Sequence, residues 1–139
     1  MSKSVASESK DGYEAPKMSM KLAVNLVIVD IPEGIESIGR SAFHYCRSLT
    51  TVSFPTMLTS IGDNTFFQCS SLDNIDLLHT NLHEFGDWAF CGCSELKSMT
   101  IPDSLQTFGR SVFCMCDKLV PSNIDVEDRN VVVTYLRSQ

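Results

Sequence analysis

The residues of this 139-residue chain best able to do chemistry are six cysteines and three histidines. Cys91-x-Cys93 and Cys114-x-Cys116 together offer the four thiolates of a tetrahedral zinc site. His79 and His83 have the i, i+4 spacing with which a helix presents two imidazoles to one zinc ion. His44 stands beside an apolar Phe43, with no acid or nucleophile placed by spacing. Whether any of these groups can act together depends on the elements that carry them, and those elements repeat.

Gly39, Gly62, Gly86 and Gly109 each open the same phrase, Gly-x-x-(Ala, Thr or Val)-Phe-x-x-Cys-x-x-Leu, at spacings of 23, 24 and 23 residues. A fixed period in the twenties carried by apolar and glycine positions predicts a stacked solenoid in which each coil touches only its neighbours. Cys46, Cys69, Cys93 and Cys116 fall on one repeat position and so form a column facing the interior. Cysteine suits such a place as a small apolar side chain, and the column reads as reduced, structural thiols. Residues two apart on a helical turn point about 200° apart, so Cys91 and Cys114 are expected to face out, as exposed neighbours within reach of joint oxidation but not of a shared zinc ion. His79 and His83 flank an inserted turn between extended segments, and the spacing reads as that of two solvated loop histidines. No cofactor, metal or catalytic constellation is expected.

Within each unit Leu-x-x-apolar-x-apolar marks a short strand: Leu26, Val29, Ile31; Leu49, Val52, Phe54; Leu72, Ile75, Leu77; Leu96, Met99, Ile101. Identical strands in successive coils pair in parallel, and Pro32, Pro55 and Pro102 end three of them. A second extended segment closes at each repeat glycine, and Phe-x-x-Cys-x-x-Leu has the three-residue rhythm of a tight helical or 3₁₀ turn. The third unit breaks pattern: Leu78 replaces the proline, and one residue is inserted within 79–81. Residues 1–21 lack periodicity and read as a disordered tail, 22–120 as the solenoid of about four repeats, and 121–139 as a capping helix starting near Asp125, with Val126, Val131, Val132, Tyr135 and Leu136 on its apolar face.

These residues resemble the BspA-type leucine-rich-repeat family; the segment from Val29 through Ile38-Gly39 and Ala42-Phe43 to Cys46 and Leu49 follows its pattern at nearly every specified place. The resemblance implies a right-handed solenoid used for protein–protein recognition, with no cofactor and no catalytic residues to carry over.

Composition narrows the partners. A net charge of −6 with no cluster of lysine and arginine offers nothing to nucleic acid or an anionic bilayer. The longest apolar stretch, 22–29, is too short to span a membrane. With no secretory leader pattern and no Asn-x-Ser/Thr sequon, an intracellular location is expected. The expected role is a non-catalytic module for an unidentified protein partner. The alternatives are a piece of a longer array stacking, or self-associating weakly, through its first coil, and a surface adhesin if a leader lies upstream.

In a regular solenoid all coils present similar surfaces, so recognition is expected where coils differ: Trp88, which replaces Ser41, Asn64 and Ser111 of the other units, together with His79 and Leu78. The rival site is the row of outward strand positions, Asp30, Ser53, Asp76 and Thr100.

Overall fold

The computed structural model describes residues 25–139 and the backbone of 7–9 and 12–14. Ten short strands and one helix follow in order: β1 (Ser7–Ser9), β2 (Gly12–Glu14), β3 (Ile28–Asp30), β4 (Ser37–Ile38), β5 (Thr51–Ser53), β6 (Ser60–Ile61), β7 (Asn74–Asp76), β8 (Glu84–Phe85), β9 (Ser98–Thr100), β10 (Thr107–Phe108) and α1 (Arg129–Arg137). The result is a parallel β-solenoid of about four coils closed by a helix.

Each coil contributes one three-residue strand centred on a buried apolar residue, Val29, Val52, Ile75 or Met99, with both neighbours exposed. The second strands stack as β4, β6, β8 and β10, with Ile38 opposite Ile61 and both Ile61 and Phe108 opposite Phe85. β1 and β2 pair antiparallel, and β2 lies beside β4 with Tyr13 opposite Ile38. The rest of the expected tail lies outside the described residues.

The long strands pair as β3 with β5 and β7 with β9, but β5 and β7 do not join in one ladder. The break falls where the third coil departs from the repeat. Ile31 N–H donates to Ser53 O at 3.1 Å and Leu77 N–H to Thr100 O at 2.9 Å. Between β5 and β7 the His79 ring takes over, Nε2–H donating to Phe54 O at 2.9 Å.

The third face is built of turns. Cys46 N–H bonds Phe43 O and Leu49 N–H bonds Cys46 O, the three-residue spacing expected of the Phe-x-x-Cys-x-x-Leu phrase. These turns do not run on as a helix, because two positions per coil take positive φ: Ser41, Asn64, Trp88 and Ser111 in one column, and Tyr45, Gln68, Gly92 and Met115 in the other. The reversals aim alternate N–H groups at the next coil. Phe43 donates to Thr65 O, Phe66 to Ala89 O and Phe90 to Val112 O, at 2.8–3.0 Å.

The core is a set of columns. Phe43, Phe66, Phe90 and Phe113 stack with centroids 5.5, 5.2 and 6.0 Å apart and rings within 15° of parallel. The coils approach closely at two repeat glycines, where a Cβ on Gly86 would lie 2.4 Å from Asp63 N and one on Gly109 2.4 Å from Asp87 N.

The closing helix begins later than the sequence suggests. Asp128, not the region of Asp125, is the cap, its carboxylate accepting from Asn130 and Val131 N–H, whereas the Asp125 side chain accepts from Glu127 N–H in a preceding turn. The expected apolar face also shifts. Val132 and Leu136 are buried, Val126 and Tyr135 are half-buried, and Val131 is 39% exposed. Glu127 completes the closure by accepting from both the N–H and the hydroxyl of Ser111, at 3.1 and 2.9 Å. It occupies the place that the next coil's carbonyl takes for Ser41, whose N–H bonds Asp63 O.

Removing residues 121–139 uncovers the last coil, including Phe113 and Leu119, and is expected to cause aggregation or loss of cooperative unfolding. Light scattering with thermal denaturation checks this, and a monomer with unchanged Tm would contradict it.

Candidate functional site

The inward cysteines are bound into the core. Cys69 Sγ–H donates to Phe43 O at 3.1 Å, Cys93 to Phe66 O at 3.3 Å and Cys116 to Phe90 O at 3.0 Å, so each thiol ties its coil to the one before. Desolvation raises the Cys46 thiol to about 11 and pushes Cys69 further. The Cys116 thiol and then burial raise Cys93. All six cysteines are free, and among the described residues no group of three potential ligands is placed to hold a metal ion.

The outward assignment of Cys91 and Cys114 is corrected. Cys91 is 2% exposed and Cys114 half-buried. The helical 200° rule fails because Gly92 and Met115, between the members of each pair, have φ of 85° and 60°. Cys91 is raised to about 12 by burial and by a hydrogen bond with the Cys114 thiol. The two remain neighbours, but Cys91 is shut from solvent and held protonated, opposite to the exposed, low-pKa thiol that reacts readily.

His79 and His83 share no helix, as expected, but His79 is anchored to Phe54 O rather than merely solvated. The inserted turn is held by buried Thr80, whose hydroxyl donates to Leu77 O at 2.7 Å and accepts from Leu82 N–H at 3.3 Å. Leu78 projects from this turn 63% exposed.

Trp88 sits elsewhere on the coil, after β8. Its φ is 55°, in the left-handed region where a bulky side chain is an outlier, at a cost on the order of 1–3 kcal/mol. The indole is 37% exposed, with the Arg110 guanidinium 5.3 Å from the ring centroid. Arg110 is the residue that sequence reasoning missed. Its side chain also pairs with Asp87 Oδ2 at 3.2 Å while its N–H donates to Asp87 Oδ1 at 2.8 Å. These backbone and side-chain bonds from Arg110 hold the Asp87 carboxyl below its usual range. The available signal was the position after each repeat glycine, which reads Arg40, Asp63, Asp87, Arg110 and so pairs opposite charges at its first and last steps.

Among the described residues no hydrogen bond or ring contact joins Trp88 to Leu78 or His79. Trp88 reaches forward to the fourth coil and His79 back to the second.

The rival row is brought together, but on itself. Ser53 Oγ–H donates to Asp30 Oδ1 at 2.5 Å and Thr100 Oγ1–H to Asp76 Oδ1 at 2.6 Å. The Thr100 hydroxyl and then Leu78 N–H lower the Asp76 carboxyl. The first residues of β7 and β9 repeat the pattern, with the Ser98 hydroxyl on the Asn74 amide oxygen.

The repeat geometry agrees with what the chain is similar to. The sequence signature of the BspA type leucine rich repeat region matches in six copies over residues 19–132. The chain belongs to the BspA-type leucine-rich-repeat family. A leucine-rich repeat protein of T. pallidum superposes with a TM-score of 0.66 at 29% identity, covering 73% of this chain and 49% of its own. A leucine-rich repeat protein from Bacteroides ovatus gives 0.64 at 28% identity, covering 83% of this chain and 30% of its own. The BspA-type repeats here thus span half or less of those two proteins. No curated protein matches the chain in sequence.

The buried thiols dictate a pH response. A thiol raised in the folded state holds its proton more tightly there, so its contribution is complete below the unfolded value near 9 and is lost as pH rises towards the folded value. Each such thiol removes up to about 1.4 kcal/mol per pH unit within that window. The urea midpoint in reductant is therefore expected to fall steeply between pH 9 and 11, and less steeply in Cys69→Ala. A midpoint independent of pH across that range would contradict the buried column.

Proposed function

We propose that this repeat unit is a non-catalytic protein-interaction module whose recognition centre is Trp88 on the irregular third coil. The observation that carries this reading is the placement of Trp88. It combines an unfavourable backbone conformation, a partly exposed indole and a guanidinium stacked against it, at a position where three other coils use serine or asparagine. Local stability does not favour tryptophan there, and tryptophan and arginine are the side chains most enriched where binding energy concentrates. Leu78, though 63% exposed, lies on a different turn of the coil and is not part of that centre.

The strand row of Asp30, Ser53, Asp76 and Thr100 is the weaker candidate, because its carboxylates already accept hydroxyls from the neighbouring coil. A partner would have to replace those bonds to gain its own. The strands are three residues long, so a strip ~10 Å wide and ~15–20 Å tall offers on the order of 200 Å², well below the ~800 Å² per partner of a standard interface.

Support for a non-catalytic role comes from the family and from the chemistry. Burial raises the Cys46, Cys69 and Cys91 thiols, the Cys116 thiol and burial raise Cys93, and His79 is committed to a main-chain carbonyl. Among the described residues no helix is long and apolar enough to cross a membrane.

The test begins with partners captured by proximity labelling and compares Trp88→Asn with the double change Asp30→Ser plus Asp76→Ser. Trp88→Asn is expected to preserve or slightly raise Tm, since asparagine tolerates the left-handed conformation, while weakening binding by about tenfold or more, as for a hot-spot side chain. Retained binding in Trp88→Asn with loss in the double variant would place recognition on the strand face.

A further inference from the structure

The end of the solenoid carries a second surface with different chemistry. A cleft of about 470 Å³ opens between α1 and the last coil. Arg129 and Arg137 border it, Leu105, Phe108 and Val133 supply its apolar lining, and Asn130 lies between the arginines. Among the described residues no acidic side chain lines it, in a chain of net charge −6. The carboxylates that lead into α1 are engaged elsewhere: Asp128 caps the helix, Glu127 holds Ser111 and Asp125 accepts from Glu127 N–H.

Both guanidiniums are fixed by main-chain carbonyls. Arg129 Nη1 donates to Gln106 O at 2.6 Å and Arg137 Nη2 to Pro102 O at 3.2 Å. Each guanidinium keeps further N–H donors for a ligand, since arginine carries five. A carbonyl neutralises no charge, and among the described residues neither cation has an ion pair. Phe108 contributes because it ends its column. Its counterparts Ile38, Ile61 and Phe85 are fully buried, whereas Phe108 is only half-buried.

We propose that this cleft binds an acidic, extended protein segment of the pattern Glu-x-Leu-x-Glu. The spacing argues for a peptide over a small anion. Arg129 and Arg137 are the first and last residues of the nine-residue α1, so their Cα atoms stand about 12 Å apart along the axis at ~1.5 Å per residue. In an extended chain, residues i and i+4 are ~13 Å apart and share a face with i+2. Two carboxylates then meet the two arginines while the central leucine covers the exposed parts of Phe108 and Val133. A lone phosphate or carboxylate engages one guanidinium and leaves the apolar lining wet. This site is independent of Trp88.

The test uses the full chain and a labelled peptide carrying Glu-Ser-Leu-Ser-Glu between Gly-Ser flanks, followed by fluorescence anisotropy. Saturable binding below about 1 mM is expected, weakening as salt rises because the charges are exposed. The Gln-Ser-Leu-Ser-Gln peptide is expected to lose it. Arg129→Gln and Arg137→Gln each weaken binding roughly threefold to fivefold, the range for an exposed ion pair. Asn130→Asp serves as the variant that leaves both carbonyl contacts intact: an acid in the first helical turn favours α1, so the fold persists while binding falls. Trp88→Ser leaves peptide binding unchanged. Absence of binding by the parent, equal binding of the glutamine peptide, an unaffected Asn130→Asp, or displacement of the peptide by equimolar inorganic phosphate would each overturn the proposal.

Discussion

Close parallel approach of successive coils is the constraint on which the rest of the structure depends. At Gly86 and Gly109 the main chain of one coil lies against that of the previous one with no room for a Cβ. That approach sets the rung distance for everything else. Phenylalanine rings stack at 5–6 Å, alternate N–H groups reach the next coil, and the Cys69, Cys93 and Cys116 thiols find the carbonyl of the preceding coil's phenylalanine. Stacking interlocks these contacts, so none of them is available to an isolated coil. Ends must therefore be closed, and α1 with Glu127 closes one of them.

The same constraint explains where the surface differs from coil to coil. Positions bound into columns are fixed by their neighbours above and below, as Asp63 and Asp87 are by the N–H groups of Asp87 and Arg110. Freedom is left at turns and ends. The inserted residue of the third coil divides the long-strand sheet, and His79 and Thr80 supply the hydrogen bonds that hold the altered turn. Trp88 occupies a column otherwise serine or asparagine and recruits Arg110. The last coil has no successor to cover Phe108, which becomes part of a cleft bounded by cations. The two surfaces we assign to partners both arise from departures from the repeat.

Columns were legible in the sequence because they recur. Val29, Val52, Ile75 and Met99 centre their strands as their spacing requires, and Cys46, Cys69, Cys93 and Cys116 face inward as one position repeated four times. Features set by a single residue's dihedral angles or by a nonrecurring contact were not. Cys91 was placed outside because helical geometry was assumed across Gly92, whose positive φ redirects the chain. Asp125 and Asp128 both precede the helix, and composition does not distinguish the one whose carboxylate reaches the N–H groups of Asn130 and Val131. The stacking of Arg110 on Trp88 needs the coil spacing as well as the residue types.

If contacts between coils hold the fold, native-state hydrogen exchange separates them from contacts within a coil. The amides of Phe43, Phe66 and Phe90 donate to the following coil, whereas those of Ala42, Thr65 and Cys91 donate three residues back in their own turn. Phe43, Phe66 and Phe90 are predicted to exchange together, only through global unfolding, and with the same denaturant dependence. Exchange of each coil with its own opening free energy, or the highest protection at Ala42, Thr65 and Cys91, would contradict the claim that stacking carries the stability.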